Sequence, residues 1–104
     1  MSEIIDLDLL VNEPIEFKIG GEIYKMSTSY STEDILNIYH LEQQMKKTKK
    51  EEEQLKLHDK IIFILFSQLN DIDEQWVRKL HHTQKIAIMK HYRERMNKIS
   101  SNPN

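Results

Sequence analysis

The run Ile61-Ile-Phe-Ile-Leu-Phe66 decides how this chain is read. Six successive apolar residues fit a buried strand or a buried helix, and periodicity alone does not separate the two. The flanks do. Residues 51 to 60 are rich in Glu, Lys, Leu and Gln, all good helix formers, and no turn signal precedes Ile61. Leu55, Leu57 and Leu69 extend the apolar pattern on either side. The stretch therefore predicts a helix apolar on all sides. Such a helix must be covered on all sides, so it belongs at the centre, touching the other elements.

Composition agrees with a helical domain. The chain has 104 residues, enough for one modest core. Glycine and proline number two each, and no residue from 22 to 102 stops a helix by force. Upstream of the central helix, Ile15, Phe17 and Ile19 alternate with Glu16 and Lys18. Gly20-Gly21 follows, and both glycines can take the positive φ of a two-residue hairpin turn. A turn there pairs Ile19 with Glu22, Phe17 with Tyr24 and Ile15 with Met26, and sets Glu16 against Lys25 on the other face. A lone hairpin is marginal in water and needs helices on its apolar face. Before it, Ile4, Ile5, Leu7, Leu9, Leu10 and Val11 alternate with acids and read as an N-terminal arm packed on the domain.

After the hairpin a polar connector, residues 27–32, leads to a helix ending near Lys47. Ser31 with Asp34 forms a capping-box pattern, and Ile35, Ile38, Tyr39 and Leu41 follow at helical spacing. Lys46 to Glu53 is charged, without an apolar face. It reads as a solvated joint, with Lys49 and Glu53 spaced for a weak one-turn ion pair. Beyond the central helix, Asn70-Asp71 breaks the pattern. Asp71 with Glu74 fits a cap for a short helix carrying Ile72, Trp76, Val77 and Leu80. His81-His82 reads as a joint. Thr83 then caps a last helix in which Ile86, Met89 and Met96 share a face, with Ile88 and Tyr92 beside it.

The expected fold is thus mainly α (α+β): an N-terminal β-hairpin packed on a bundle of about four helices. Residues 1–99 form a single domain with the hairpin at 15–26, and residues 100–104 form a flexible polar tail.

Several function classes lose support at this stage. With 15 basic and 17 acidic residues the net charge is −2, which offers no bulk attraction to nucleic acid or anionic membrane. There is no cysteine, which excludes a disulfide scaffold, thiol chemistry and cysteine-ligated zinc. The longest apolar run is far below the ~20 residues needed to span a bilayer. Glu3, Asp6 and Asp8 near the start are unlike a basic secretory leader, so a cytoplasmic location is expected.

Chemistry finds little footing. No two of His40, His58, His81, His82 and His91 have the i, i+4 spacing that puts metal ligands on one helix face. Glu51, Glu52 and Glu53, and the set Asp71, Asp73 and Glu74, sit in polar runs at helix ends, where caps and solvated faces explain them. There is no Gly-rich phosphate loop and no nucleophile elbow. No cofactor, metal or catalytic residue is expected, and the chain is not read as an enzyme. Lys85, Lys90, Arg93, Arg95 and Lys98, with Tyr92 interleaved, make a basic last helix that Glu94 interrupts. A small nucleic-acid-associated regulator using that helix is the alternative reading, and a structural subunit or one half of a toxin–antitoxin pair is a third.

The order of elements carries a resemblance. Phe17-Lys-Ile-Gly-Gly-Glu-Ile-Tyr-Lys-Met26 opens the domain, and Ser31-Thr-Glu-Asp-Ile-Leu-Asn-Ile38 follows. A charged joint, an apolar helix, Asp73-Glu-Gln-Trp-Val-Arg-Lys-Leu80 and Thr83-Gln-Lys-Ile-Ala-Ile88 complete it. As a pattern over about residues 15 to 97, this resembles the small tail assembly chaperones of long-tailed bacteriophages and of prophages in Gram-positive hosts. The resemblance implies a protein that binds the tape measure protein and keeps it soluble until tube subunits replace it. The tail tube protein is a second implied partner, reached through a frameshifted longer form. The chaperone would act in the bacterial cytoplasm and be absent from the finished virion. The resemblance brings no catalytic residues, and homo-oligomerisation stays open. A reversible holdase needs modest apolar patches rimmed by charge. On the last two helices, Trp76, Val77, Ile88, Met89, Tyr92 and Met96 are the expected partner contacts.

Overall fold

The structure is a computed structural model that describes residues 3–5 and 13–101. Strands β1 (Ile15–Ile19) and β2 (Glu22–Met26) form an antiparallel hairpin. Helices α1 (Thr32–Lys47), α2 (Glu51–Ser67), α3 (Glu74–Lys79) and α4 (His82–Ser101) follow. The fold is α+β, as expected. The register pairs Ile15 with Met26, Glu16 with Lys25, Phe17 with Tyr24 and Ile19 with Glu22. Gly20 and Gly21 lie at φ +60° and +85°, the paired positive values of a tight type I′ turn.

Helix α2 is the hub. Ile61, Ile62, Leu65 and Phe66 are fully buried, and α2 packs against α1, α3, α4 and β2. Each such side chain contributes about 1.5–3 kcal/mol by leaving water. Phe63 and Ile64 are only half-buried, so the cover is less complete than an all-apolar helix suggested.

The C-terminal end of α2 is where the hairpin attaches. The last carbonyls of a helix have no partner within it. Here Leu65 O accepts from Ser27 N at 3.3 Å and from the Tyr30 hydroxyl at 3.5 Å, and Phe66 O accepts from Asn70 Nδ2 at 2.8 Å. The Asn70 amide also grips Lys25: Lys25 N donates to Oδ1 at 3.0 Å, and Nδ2 donates to Lys25 O at 2.7 Å. One side chain thus pairs with β2 as a neighbouring strand would and caps α2 as well. Rings complete the junction. Phe66 lies 5.8 Å from Phe17 and 5.5 Å from Trp76, and Trp76 lies 4.6 Å from Tyr24.

Local details depart from the sequence expectations in six places. Ser31 does cap α1, accepting from Asp34 N at 3.2 Å, but the Asp34 carboxylate accepts from Gln68 of the next helix end. Lys49 lies in the connector before α2 begins, and Glu53 accepts from the Thr48 hydroxyl at 2.9 Å; the one-turn ion pair on α2 is Glu52 with Lys56 at 3.2 Å. The cap of α3 is Asp73, which accepts from Trp76 N at 2.9 Å, and not Asp71. Helix α4 starts at His82 rather than after Thr83, because Gln84 Oε1 reaches back to His81 N at 2.9 Å. Ser100 and Ser101, expected in the tail, continue α4, and residues 102–104 lie outside the described residues. In the N-terminal arm Ile4 and Ile5 are exposed rather than packed, while Leu7, Leu9, Leu10 and Val11 lie outside the described residues.

Candidate partner-binding surface

The six expected contact residues divide into two groups. Val77, Ile88 and Met89 are in the core, each at most 2% exposed. They hold the fold together and present nothing to a partner. Trp76, Tyr92 and Met96 are half-buried. Trp76 is covered by Tyr24 and Phe66, and with Tyr24, Ile72 and Asp73 it lines a shallow hollow of about 420 Å³. Tyr92 stands edge-on to Tyr30 with centroids 6.2 Å apart. Burial first, and then the Glu42 carboxylate, raises the Tyr92 phenol above its ordinary pKa. Burial does the same to Tyr30, with Tyr92 and Asp34 adding to it.

What the spacing did not reveal is which way α4 is turned. Lys85 is buried and Ile86 is exposed, the reverse of their hydropathy. The reason is Asp59 on α2, whose Oδ1 accepts from Lys85 Nζ at 2.7 Å with both side chains mostly buried. The inward stripe of α4 is therefore Lys85, Ile88, Met89 and Tyr92, and Ile86 is left 53% exposed. His58, next to Asp59, has its pKa lowered, chiefly by burial; Asp59 opposes this, and Lys85, Arg93 and His82 add to it. The basic stripe loses Lys85 to this pair. Lys90 and Arg93 remain exposed and Arg95 is half-buried, while the Lys98 side chain lies outside the described residues.

Next to the pair is an open cleft of about 650 Å³ between α2 and the α3–α4 corner. Leu55, 51% exposed, and Leu80 are its apolar lining. Glu51, Glu52, Asp59, Lys56, Arg78 and Lys85 surround them, three acids and three bases. Balanced charge around an apolar strip does not select a small anion or cation. It suits the side of an amphipathic polypeptide, whose apolar residues meet Leu55 while its charges pair at the rim. Ile86 stands one helical turn beyond His82 of the same cleft.

A second exposed apolar set lies on α1. Ile35, Leu36 and Tyr39 are 47%, 50% and 55% exposed, running from the flank of the inward Ile38 round to the side opposite Leu41 and Met45. None of the three was read from the sequence as a partner contact. Their spacing, i, i+1 and i+4, was the available signal.

No family model, curated protein or solved structure matches this chain. Among the described residues no three His, Asp or Glu side chains gather as metal ligands would, and no helix is long and apolar enough to cross a membrane.

Proposed function

We propose that this chain is a tail assembly chaperone that binds the tape measure protein reversibly and keeps it soluble during tail assembly. The observation that carries the reading is the cleft beside α2. There the exposed Leu55 and its neighbour Leu80 form a small apolar strip inside a ring of mixed charge, and Ile86 is exposed one helical turn beyond His82 of the same lining. A strip of that size gives the weak, exchangeable grip that a holdase requires. The order of elements, hairpin first and then four helices, also supports it. The protein acts in the bacterial cytoplasm without a cofactor or catalysis, and it leaves before the virion is complete.

The test is co-expression with the tape measure protein of the same genome. The wild-type chain raises the soluble fraction of that partner. The double variant Leu55→Glu, Ile86→Glu, whose helical circular dichroism is unchanged because both sites are exposed, loses most of the effect. A wild-type chain that leaves solubility unchanged refutes the chaperone reading. A double variant as effective as wild type refutes the cleft as the site. If the chain instead shifts DNA at low salt, and the shift collapses as salt rises, the regulator reading replaces this one.

A further inference from the structure

Among the described residues, the outward face of α1 has no neighbour. Helix α1 packs on α2 through Ile38, Leu41 and Met45, yet it also displays Ile35, Leu36 and Tyr39 to solvent in one contiguous patch. Thr32, Leu36, Tyr39, Gln43 and Lys46 follow one another at alternating spacings of four and three, the seam of a helix that packs against a second helix. We infer that this face binds the same face of a second copy, with the two α1 helices antiparallel. The inference rests on α1 alone and is independent of the chaperone reading.

Two features select a second copy in that orientation. First, the apolar residues are self-complementary about a twofold axis beside the middle of the patch. Leu36 of each copy packs on Tyr39 of the other, and the two Ile35 side chains flank the contact, as an isologous interface requires. Second, the charges match only when the helices run in opposite directions. The first turn of α1 carries Glu33 and its last turn carries Lys46 and Lys47. Glu33 and Lys47 are fourteen residues apart, so they lie on the same flank of the seam. Long helical side chains lean toward the N-terminus of their own helix. In an antiparallel pair that lean carries Glu33 of one copy toward Lys47 of the other, at both ends by symmetry. Antiparallel macrodipoles add to the preference. A parallel pair would bring acid beside acid and base beside base.

The patch is smaller than a standard interface, so the dimer is weak and concentration-dependent. Sedimentation velocity of the full chain, from about 10 μM to about 1 mM, is the test. The weight-average mass should climb from monomer toward dimer across that range. Leu36→Asp should remain helical and hold the chain monomeric throughout. Glu33→Lys should raise the dimer Kd by about threefold or more, and Glu33→Lys with Lys47→Glu should return it to near the wild-type value. A wild-type chain that stays monomeric to about 1 mM overturns the proposal, and would leave the face to a different polypeptide. So does a dimer that Leu36→Asp does not weaken, or a charge swap that fails to restore what Glu33→Lys removed.

Discussion

Helices α1 and α4 both lie against α2, and both alternate apolar and charged residues, yet they end in opposite conditions. Helix α4 turns Ile88 and Met89 inward, buries Lys85 with them, and shows mostly polar and charged side chains outside. Helix α1 turns Ile38 inward, with Leu41 and Met45, and still shows Ile35, Leu36 and Tyr39. The difference is one of placement. Helix α4 buries Ile88 and Met89 and half-buries Tyr92 and Met96, which leaves Ile86 as its one large apolar residue at the surface among the described side chains. Helix α1 carries apolar residues on two sides and, among the described residues, has one helical neighbour to cover them. An unsatisfied apolar face is the ordinary mark of an interaction surface. On the proposed reading the surface for partners comprises the outward side of α1 and the Leu55 cleft with Ile86, while the buried apolar residues of α4 serve stability.

Placing a charge on each helix should separate them most. Met89→Asp buries a carboxylate without a partner and should cost about 4 kcal/mol or more, enough to abolish a cooperative urea transition in so small a domain. Leu36→Asp, at an exposed site, should stay within about 0.5 kcal/mol of wild type in the same titration. Equal losses at the two positions would erase the contrast.

The next effect concerns why α4 is turned as it is. Asp59→Ala leaves the Lys85 ammonium largely desolvated and unpaired, and should cost about 2–3 kcal/mol, somewhat less than a fully buried pair because both groups keep some contact with water. Replacing both, Asp59→Leu with Lys85→Met, should recover most of that loss. If the double variant is no better than the single one, the orientation of α4 does not depend on this pair.

The smallest effect is one of pH. His58 has its pKa lowered from 6.5, so the folded protein takes up that proton less readily than the unfolded chain does. The stability involved is complete above the unfolded value and is lost as pH falls through the depressed folded value. Urea midpoints should thus be flat above about pH 7 and fall below about pH 6. His58→Gln should reduce that slope, and an unchanged slope would assign it to other groups.

Much of the fold was legible because local chemistry and pattern agreed. Two glycines that can adopt positive φ, set between alternating strands, specify one register, and the observed pairs follow it. Ser31 three residues before Asp34 marked the start of α1. Other features depended on contacts that spacing does not encode. Asp71 and Asp73 both precede α3, and only the approach of Trp76 N to Asp73 decides between them. A lysine reads as solvent-facing until its partner, Asp59, 26 residues away, is brought beside it. Once Lys85 is inside, Ile86 is outside and the apolar face assigned from periodicity rotates. That rotation is why Ile88 and Met89, expected to meet a partner, are core residues; Val77 is buried because α3 packs on α2. The Leu55 and Ile35-Leu36-Tyr39 patches were not anticipated as surfaces because periodicity marks apolar residues without saying which of them the core covers.

Two methionines on the same helix test this allocation most directly, since Met89 is 2% exposed and Met96 is half-buried. Thioether oxidation follows exposure. Under mild peroxide at native pH, peptide mapping should find Met96 converted to sulfoxide well before Met89, with the fully buried Met26 as slow as Met89. Oxidation of Met89 as fast as that of Met96, in protein that remains folded, would contradict the account and return the partner surface to α4.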